Sequence, residues 1–413
     1  MIIDAQKYSG PCSCGKSHAM ETVFSIVEPG CLNRLSEYMT RYGLTGYTVA
    51  VYDENTYRAT EGKHPVVDCE VILNPEDLHA NEHGVALLEA ELPAEAQILI
   101  AVGSGTIHDI TRYVAYEHHA RFVSCPTAAS VDGFCSSVAA MTWKGCKRTL
   151  TAVAPTIVVA DLDVIKNAPL FLAKSGFGDM IGKYIALTDW QAGHLLTGEF
   201  YCDRIATMTR EATNAVLECA GGIVNRDEET FEKLMYGLLL SGLAMQMMGN
   251  SRPASGAEHH ISHLIEMQPE GVGVSSHALH GEKVGVGTLL ALEEYHRLAE
   301  NDLFTRDYSA PDDQEITEVF GAALAEEIFK ENAKNCADMI TAEKLHSAFP
   351  QISDMIKALP QAAELRKLYI DLGVKSSLED IEVSTDKLPL LLDYSPCVRN
   401  RLTLMRLRRC LGE

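Results

Sequence analysis

The hydrophobic rhythm of the chain changes near residue 160. Before it, short β-branched runs alternate with stretches of helical spacing. Gly46 to Tyr52 reads as a buried strand ending at Asp53. Val66–Leu73, Gln97–Val102 and Arg121–Cys125 read as three more, the last stopped by Pro126. Leu32–Tyr42 and Ile110–His119 carry apolar residues at helical spacing between them. Thr151–Asp161 is a further strand-like run, and Pro155 marks it as interrupted or peripheral. Strands alternating with helices predict a mainly parallel sheet covered on both faces. After about Leu162 the apolar positions fall at i, i+3, i+4 and i+7, as in Phe231–Met248 and Ile316–Lys334, and few strand signals remain. The expected fold is a Rossmann-like α/β N-terminal domain over residues 1–160 and an all-α C-terminal domain over residues 161–413.

Composition narrows the partners. The 413 residues include 35 basic and 57 acidic side chains, a formal net charge of −22. That acidity argues against a nucleic-acid binder, which shows a basic footprint, and against docking on an anionic membrane surface. The start, Met-Ile-Ile-Asp-Ala-Gln-Lys, lacks the basic and apolar regions of a signal peptide. Twelve cysteines in a chain of this length are not a disulfide framework and read as reduced thiols of a cytoplasmic protein. Their one cluster, Cys12-Ser13-Cys14-Gly15-Lys16, has His18 close by but no second cysteine pair, so it reads first as an exposed N-terminal turn, with metal binding as the lesser alternative.

The strand Gln97–Val102 runs into Gly103-Ser104-Gly105-Thr106-Ile107-His108-Asp109, and a helix follows. A strand, a glycine turn and a helix N-terminus together receive phosphate, because the backbone can come close and its free N–H groups face the anion. The third glycine of the dinucleotide fingerprint is missing, since position 108 is His. A tight turn without a ligand fits these residues equally well. Asp53, at the end of its strand, suits a ribose hydroxyl and would favour NAD over NADP; it equally suits a turn-initiating role.

A second constellation lies downstream. In Ser251-Arg252-Pro253-Ala254-Ser255-Gly256-Ala257-Glu258-His259-His260-Ile261-Ser262-His263, a helix would put His259 and His263 on one face and turn His260 about 100° away. His277 and His280 follow in a glycine-bounded turn. Upstream, Ser175-Gly176-Phe177-Gly178-Asp179-Met180-Ile181-Gly182-Lys183 reads as a glycine-rich entry to a helix with one carboxylate near its start. One carboxylate and two or three imidazoles suit a divalent transition metal. Lys144, Lys183 and Arg252 lie in or beside these motifs; each is a candidate to hold a substrate phosphate, and each suits a solvated surface cation better. Arg399, Arg401, Arg406, Arg408 and Arg409 form a basic cluster expected on a solvated helix face or a subunit contact.

These segments, with Pro126-Thr127-Ala128-Ala129-Ser130-Val131-Asp132-Gly133-Phe134 and His280-Gly281-Glu282-Lys283-Val284-Gly285 between and after them, occur in an order that resembles the iron-containing alcohol dehydrogenase and dehydroquinate synthase superfamily. Within it the chain looks like the bacterial sn-glycerol-1-phosphate dehydrogenases, from about Asp53 to about Gly287. The resemblance implies a dehydroquinate synthase-like fold, with NAD(H) or NADP(H) on residues 1–160 and metal and substrate on residues 161–413. It implies one divalent ion, nickel, zinc or iron, on Asp179, His259 and His280. The Gly-Glu-Lys-Val-Gly run favours His280 over His277. It assigns substrate contacts to Asp132, Asp179 and His263, with Asp132 and His263 catalytic. It assigns cofactor contacts to Asp53, Gly103, Gly105, Thr106, Ile107, His108, Asp109, Thr127, Ala128, Ala129, Ser130 and Ser136.

The implied reaction is hydride transfer at C2 between dihydroxyacetone phosphate and sn-glycerol 1-phosphate, in a cytoplasmic homo-oligomer such as a dimer. The chain departs from the family pattern at Ser104, which replaces a glycine, and in the long spacing from His259 to His280. The alternatives are a glycerol or other polyol dehydrogenase, a lyase like dehydroquinate synthase, and an NAD-binding sensor. Gly-Ala-Glu-His, where that lyase class carries Asn-x-Gly-His, points away from the lyase. An intact set of Asp179, His259, His263 and His280 points away from the sensor.

Overall fold

A computed structural model of the chain describes residues 1–143, 146–300 and 304–412. Lys144 lies outside the described residues. The chain gathers into two compact units, one of residues 1–180 and 211–250, the other of residues 181–210 and 251–413.

The first unit is built on a sheet of β1 (Ile2–Asp4), β2 (Phe24–Glu28), β3 (Thr48–Asp53), β4 (Cys69–Leu73), β5 (Ile98–Gly103), β6 (Arg121–Pro126) and β7 (Ile157–Asp161). Their order is β1-β2-β7-β6-β5-β3-β4. Only β1 runs antiparallel, paired with β2; the other neighbours are parallel. Alternation along each strand supplies two cores. Ala50, Tyr52, Ile98, Ile100 and Val102 face Leu35, Tyr38 and Met39. Val49, Val51, Leu99 and Ala101 face Ile107, Ile110 and Val114 of α1 (Gly105–Glu117). A sheet buried on both sides needs this near-continuous apolar character.

Two strand expectations change. Residues 157–161 are a central strand between β2 and β6, not a peripheral one, because Pro155 falls outside it and needs no ladder bond. Thr151 belongs instead to a hairpin strand, Cys146–Thr151, paired with Val138–Trp143. Strand β2 was missed, although Phe24-Ser25-Ile26-Val27 is an apolar run stopped by Glu-Pro-Gly. The segment Ser175–Asp179 is not the start of a helix. It lies within α2 (Leu170–Ile181), with Asp179 near the C-terminal end. The same unit holds α3 (Glu228–Met248), capped by Asp227 accepting from the Thr230 N–H.

Among the described residues the second unit is helical apart from a short strand pair, Phe304–Thr305 with Leu411–Gly412. It includes α4 (Ala257–Met267) and α5 (His280–Glu300). The helix expected over Ile316–Lys334 spans Asp313–Glu331 and is broken at Gly321, where φ is 76°. The C-terminal arginines do not form a solvated helix face. Arg406 is 2% exposed and donates to Asn335, Asn332 and the carbonyls of Pro396 and Arg399. Arg401 donates to the Ser255 carbonyl and Ser251 Oγ, and Arg408 pairs with Glu294 and Asp393. Arginine's five donors make it the natural side chain for tying irregular backbone together.

Candidate active site

The glycine turn joins β5 to α1, with Ser104 as the N-cap residue and no side-chain cap bond from it. The backbone N–H groups of Gly105, Thr106 and Ile107 therefore point out of the helix end, as an anion cradle requires. Gly103 is demanded by packing: a Cβ there would lie 2.6 Å from Ile107 Cβ. Gly105 is under no such constraint, its nearest neighbour being Val131 Cγ2 at 3.6 Å. His108 explains the missing third glycine. Its ring fills the space between α1 and β6, with Nδ1 2.9 Å from the Ser104 carbonyl, Nε2 2.8 Å from Ser124 Oγ, and an edge against Phe134. Burial, helped by the nearby Arg112 charge, pushes this imidazole down to about 3, so it stays neutral. Its side chain is committed to the interior, which leaves only backbone for a cofactor.

The loop after β6 is held from two sides. Thr127 N–H donates to the Gly103 carbonyl at 2.9 Å, and Ser175 Oγ donates to the Ser130 carbonyl at 3.3 Å. Ala128 and Ala129 are buried. A Cβ on Gly176 of α2 would stand 2.1 Å from the Ala129 carbonyl oxygen, so that glycine exists to let helix and loop touch. Ser136 Oγ donates to the Val138 carbonyl, while Arg112 Nη1 donates to the carbonyls of Ser136 and Val138. Sequence reasoning missed Arg112; its signal was an arginine on the apolar stripe of α1, three residues after Asp109, 3.8 Å away. Asp53 caps the next helix: its Oδ1 accepts from Thr56 N–H at 2.8 Å, and Thr56 Oγ1 accepts from Asp53 N–H. The turn-initiating role is thus realised.

Asp132 and Asp179 come together within this unit. Asp179, fully buried, accepts the Asp132 N–H at 3.0 Å, and Ser241 Oγ of α3 donates to Asp132 Oδ2 at 2.8 Å. Ser241 was not foreseen. Gly242 beside it, where a Cβ would meet the Asp132 carbonyl at 2.9 Å, is the signal that α3 passes close.

In the second unit α4 and α5 bring the histidines together. The helix over Ala257–Met267 places His259 and His263 one turn apart, with ring centroids 6.0 Å from each other. The His280 ring lies 5.3 Å from His259 and 5.8 Å from His263. Gly287 allows this approach, since a Cβ there would meet the Glu258 carbonyl at 2.6 Å. Each of His259 and His280 donates Nδ1–H to a carboxylate: His259 to Glu258 at 2.7 Å, His280 to Glu266 at 2.9 Å. A carboxylate on Nδ1 leaves Nε2 as the lone-pair donor and raises its basicity, the usual outer partner of a metal-bound imidazole. Glu258 and Glu266 were not singled out from the sequence, though both stand beside the histidine motif. His277 faces outward and pairs with Glu382, which separates it from the cluster. His260 is buried and held neutral by desolvation.

The other two candidate phosphate ligands, Arg252 and Lys183, are both engaged by protein groups. Arg252 is 1% exposed and grips Glu199 through Nε and Nη2, with further bonds from Nη2 to the carbonyls of Asp189 and Leu402. Lys183 is fully buried and donates to the Ala254 carbonyl at 3.1 Å. Both motif cations serve the interior of the second unit.

A family model described as iron-containing alcohol dehydrogenase matches residues 26–169. Solved structures share the fold. A probable glycerol dehydrogenase from Sinorhizobium meliloti aligns with a TM-score of 0.60 at 18% identity, covering 90% of this chain and 88% of that one. An iron-containing alcohol dehydrogenase from Thermotoga maritima aligns with a TM-score of 0.55 at 13% identity, covering 92% of each. The fold is therefore that of the iron-containing alcohol dehydrogenases, an oxidoreductase class. Glycerol-1-phosphate dehydrogenase [NAD(P)+] of Geobacillus thermodenitrificans is 34% identical over 94% of this chain and 92% of its own length. The protein of that name from Halalkalibacterium halodurans is 32% identical over 100% and 98%. The chain belongs to this glycerol-1-phosphate dehydrogenase family within the iron-containing alcohol dehydrogenases.

Proposed function

We propose that the protein interconverts dihydroxyacetone phosphate and sn-glycerol 1-phosphate by hydride transfer at C2, using NAD(H) or NADP(H). The observation that carries the reading is the pair His259 and His280, each with Nδ1 on a carboxylate, in a chain alike over nearly its whole length to glycerol-1-phosphate dehydrogenases. As ligands, the carboxylate of Asp179 and the two imidazoles would offer oxygen and nitrogen donors of the kind that suit nickel, zinc or iron. When bound, a divalent ion supplies Lewis acidity and the nicotinamide supplies the hydride.

The chain's own residues have distinct tasks. Glu258 and Glu266 hold His259 and His280 as the tautomers with Nε2 unprotonated. Asp132, oriented by Ser241, accepts a hydrogen bond from a substrate hydroxyl. His263 hands a proton to the substrate C2 oxygen, directly or through water. The N–H groups of Gly105, Thr106 and Ile107, with the segments Thr127–Ser130 and Ser136, receive the dinucleotide, its pyrophosphate at the helix end. Asp53 accepts from a ribose hydroxyl beside its capping role. Among the described residues no helix is long and apolar enough to cross a membrane. We place the enzyme in the cytoplasm as a homodimer.

The test is oxidation of NADH and NADPH with dihydroxyacetone phosphate, dihydroxyacetone or glyceraldehyde 3-phosphate under added nickel, zinc or iron, with chiral analysis of the product. Dihydroxyacetone used as well as its phosphate would make the protein a polyol dehydrogenase. Full activity after thorough chelation would remove the metal.

A further inference from the structure

The N-terminal hairpin holds a second set of metal donors. Gly10–Pro11 pairs antiparallel with Ser17–His18. Cys12 N–H donates to the Lys16 carbonyl at 2.9 Å, and Gly15 N–H donates to the Cys12 carbonyl at 3.0 Å, closing a tight turn. Gly15 sits at φ 85°, where a side chain would be strained, so the turn is shaped rather than loose. It brings Cys12 and Cys14 onto one side of the hairpin with His18, and the three ligand atoms lie within 4.8 Å of one another. Cys14 Sγ stands 3.4 Å from His18 Nε2. A tetrahedral zinc ion with bonds of about 2.3 Å to sulfur and about 2.0 Å to nitrogen spaces such a pair by about 3.5 Å.

His18 is oriented for this role. It is 4% exposed on an otherwise open hairpin. Its Nδ1–H donates to the Met247 carbonyl at 2.8 Å, which leaves Nε2, the atom facing Cys14, as the lone-pair donor. Met247 lies in the last turn of α3, the helix that carries Ser241. The hairpin is thereby tied to the end of the helix that positions Asp132.

We propose that Cys12, Cys14 and His18 bind a structural zinc ion, with a fourth donor completing the tetrahedron. The exposed turn read from the sequence is thus a metal knuckle whose imidazole is buried. The thiolates bind by losing their protons, so occupancy falls as pH drops. The ion's work is to fasten the first residues of the chain to α3.

The test needs no assumption about the catalytic metal. Protein from zinc-supplemented culture, purified without a metal-holding tag, is assayed for zinc and compared with the Cys12→Ser/Cys14→Ser double variant. The site requires a difference of about one zinc per chain. Cobalt(II) exchange should give a thiolate-to-cobalt band in the near ultraviolet, which carboxylate and imidazole ligands do not produce. The band is lost in the double variant and weakened in Cys14→Ser. Its intensity also reports whether the fourth donor is a further thiolate. The wild type alone supplies a second readout should the variants fold poorly. Alkylation of Cys12 and Cys14, followed by peptide mass spectrometry, should slow about tenfold or more with zinc and recover on chelation. Equal zinc contents, no thiolate band or zinc-independent alkylation would overturn the site and leave a thiol–imidazole hydrogen bond in its place.

Discussion

Gly176→Ala probes the contact that holds the Thr127–Ser130 loop. The new Cβ would fall 2.1 Å from the Ala129 carbonyl oxygen, 2.8 Å from its carbon and 3.2 Å from Leu238 Cδ1. The first two are backbone atoms of a buried residue, so neither can swing aside. Relief requires α2 and the loop to part by about 1 Å, against the dense packing of an interior. Overpacking of this kind costs roughly 1–3 kcal/mol, and alanine's better helix propensity returns about 1 kcal/mol. An approach of 2.1 Å to backbone puts the clash at the upper end of that range, so the net expected loss is about 2 kcal/mol, read as a lower denaturation midpoint with an unchanged slope. A shift of about 1 Å in a loop proposed to touch the dinucleotide should lower kcat/KM by up to about a hundredfold. NADH fluorescence titration should show weaker binding. Gly221→Ala is the control, since its Cβ would meet nothing within 4 Å, and it should stay within about 0.5 kcal/mol of the parent. Unchanged NADH affinity and an unchanged midpoint in Gly176→Ala would refute the reasoning.

Three further outcomes follow from the contacts. Arg252→Ala should destabilise by about 3–5 kcal/mol, because it strips the partner from Glu199 and two carbonyls; a stable variant with a raised KM for dihydroxyacetone phosphate alone would return Arg252 to the phosphate site. His108 is neutral in the fold down to about 3, whereas the unfolded chain takes up the proton near 6.5. Its contribution to stability is therefore whole above about pH 6.5 and falls by about 2 kcal/mol on going to pH 5. His108→Gln should remove that part of the slope in urea melts, and an identical pH slope in both proteins would count against a neutral His108. Ser241→Ala should leave the fold intact and lower kcat/KM about tenfold by freeing Asp132; steady-state kinetics with no change would show that Asp132 needs no such support.

Much of the first unit was legible along the chain. The alternation of Val49 and Val51 against Ala50 and Tyr52 marks a strand buried on both sides, and the same holds from Ile98 to Val102. Pro155 misled, because a proline next to a strand looks in sequence like a proline within one. The pair His259 and His263 was legible through its helical spacing. The carboxylates behind His259 and His280 were less so: Glu258 adjoins His259, but Glu266 reaches His280 across fourteen positions. The motif cations were misplaced for a related reason. A lysine or arginine beside a site motif looks available until burial forces it to find acceptors.

By itself the sequence determined the strand and helix periods, the glycine turn at Gly103–Gly105 and the donor types of the histidine region, since these depend on side chains close together along the chain. Only the tertiary structure decided that His108 fills the place of a third glycine, that Arg252 belongs to Glu199, and that helices within residues 211–250 join the sheet unit. It also decided that His18 is buried against Met247 rather than exposed on a turn. Each of these turns on hydrogen-bond partners and packing surfaces that lie far apart in the chain, and the cost of burying an unpaired polar group selects among them only once the chain has folded.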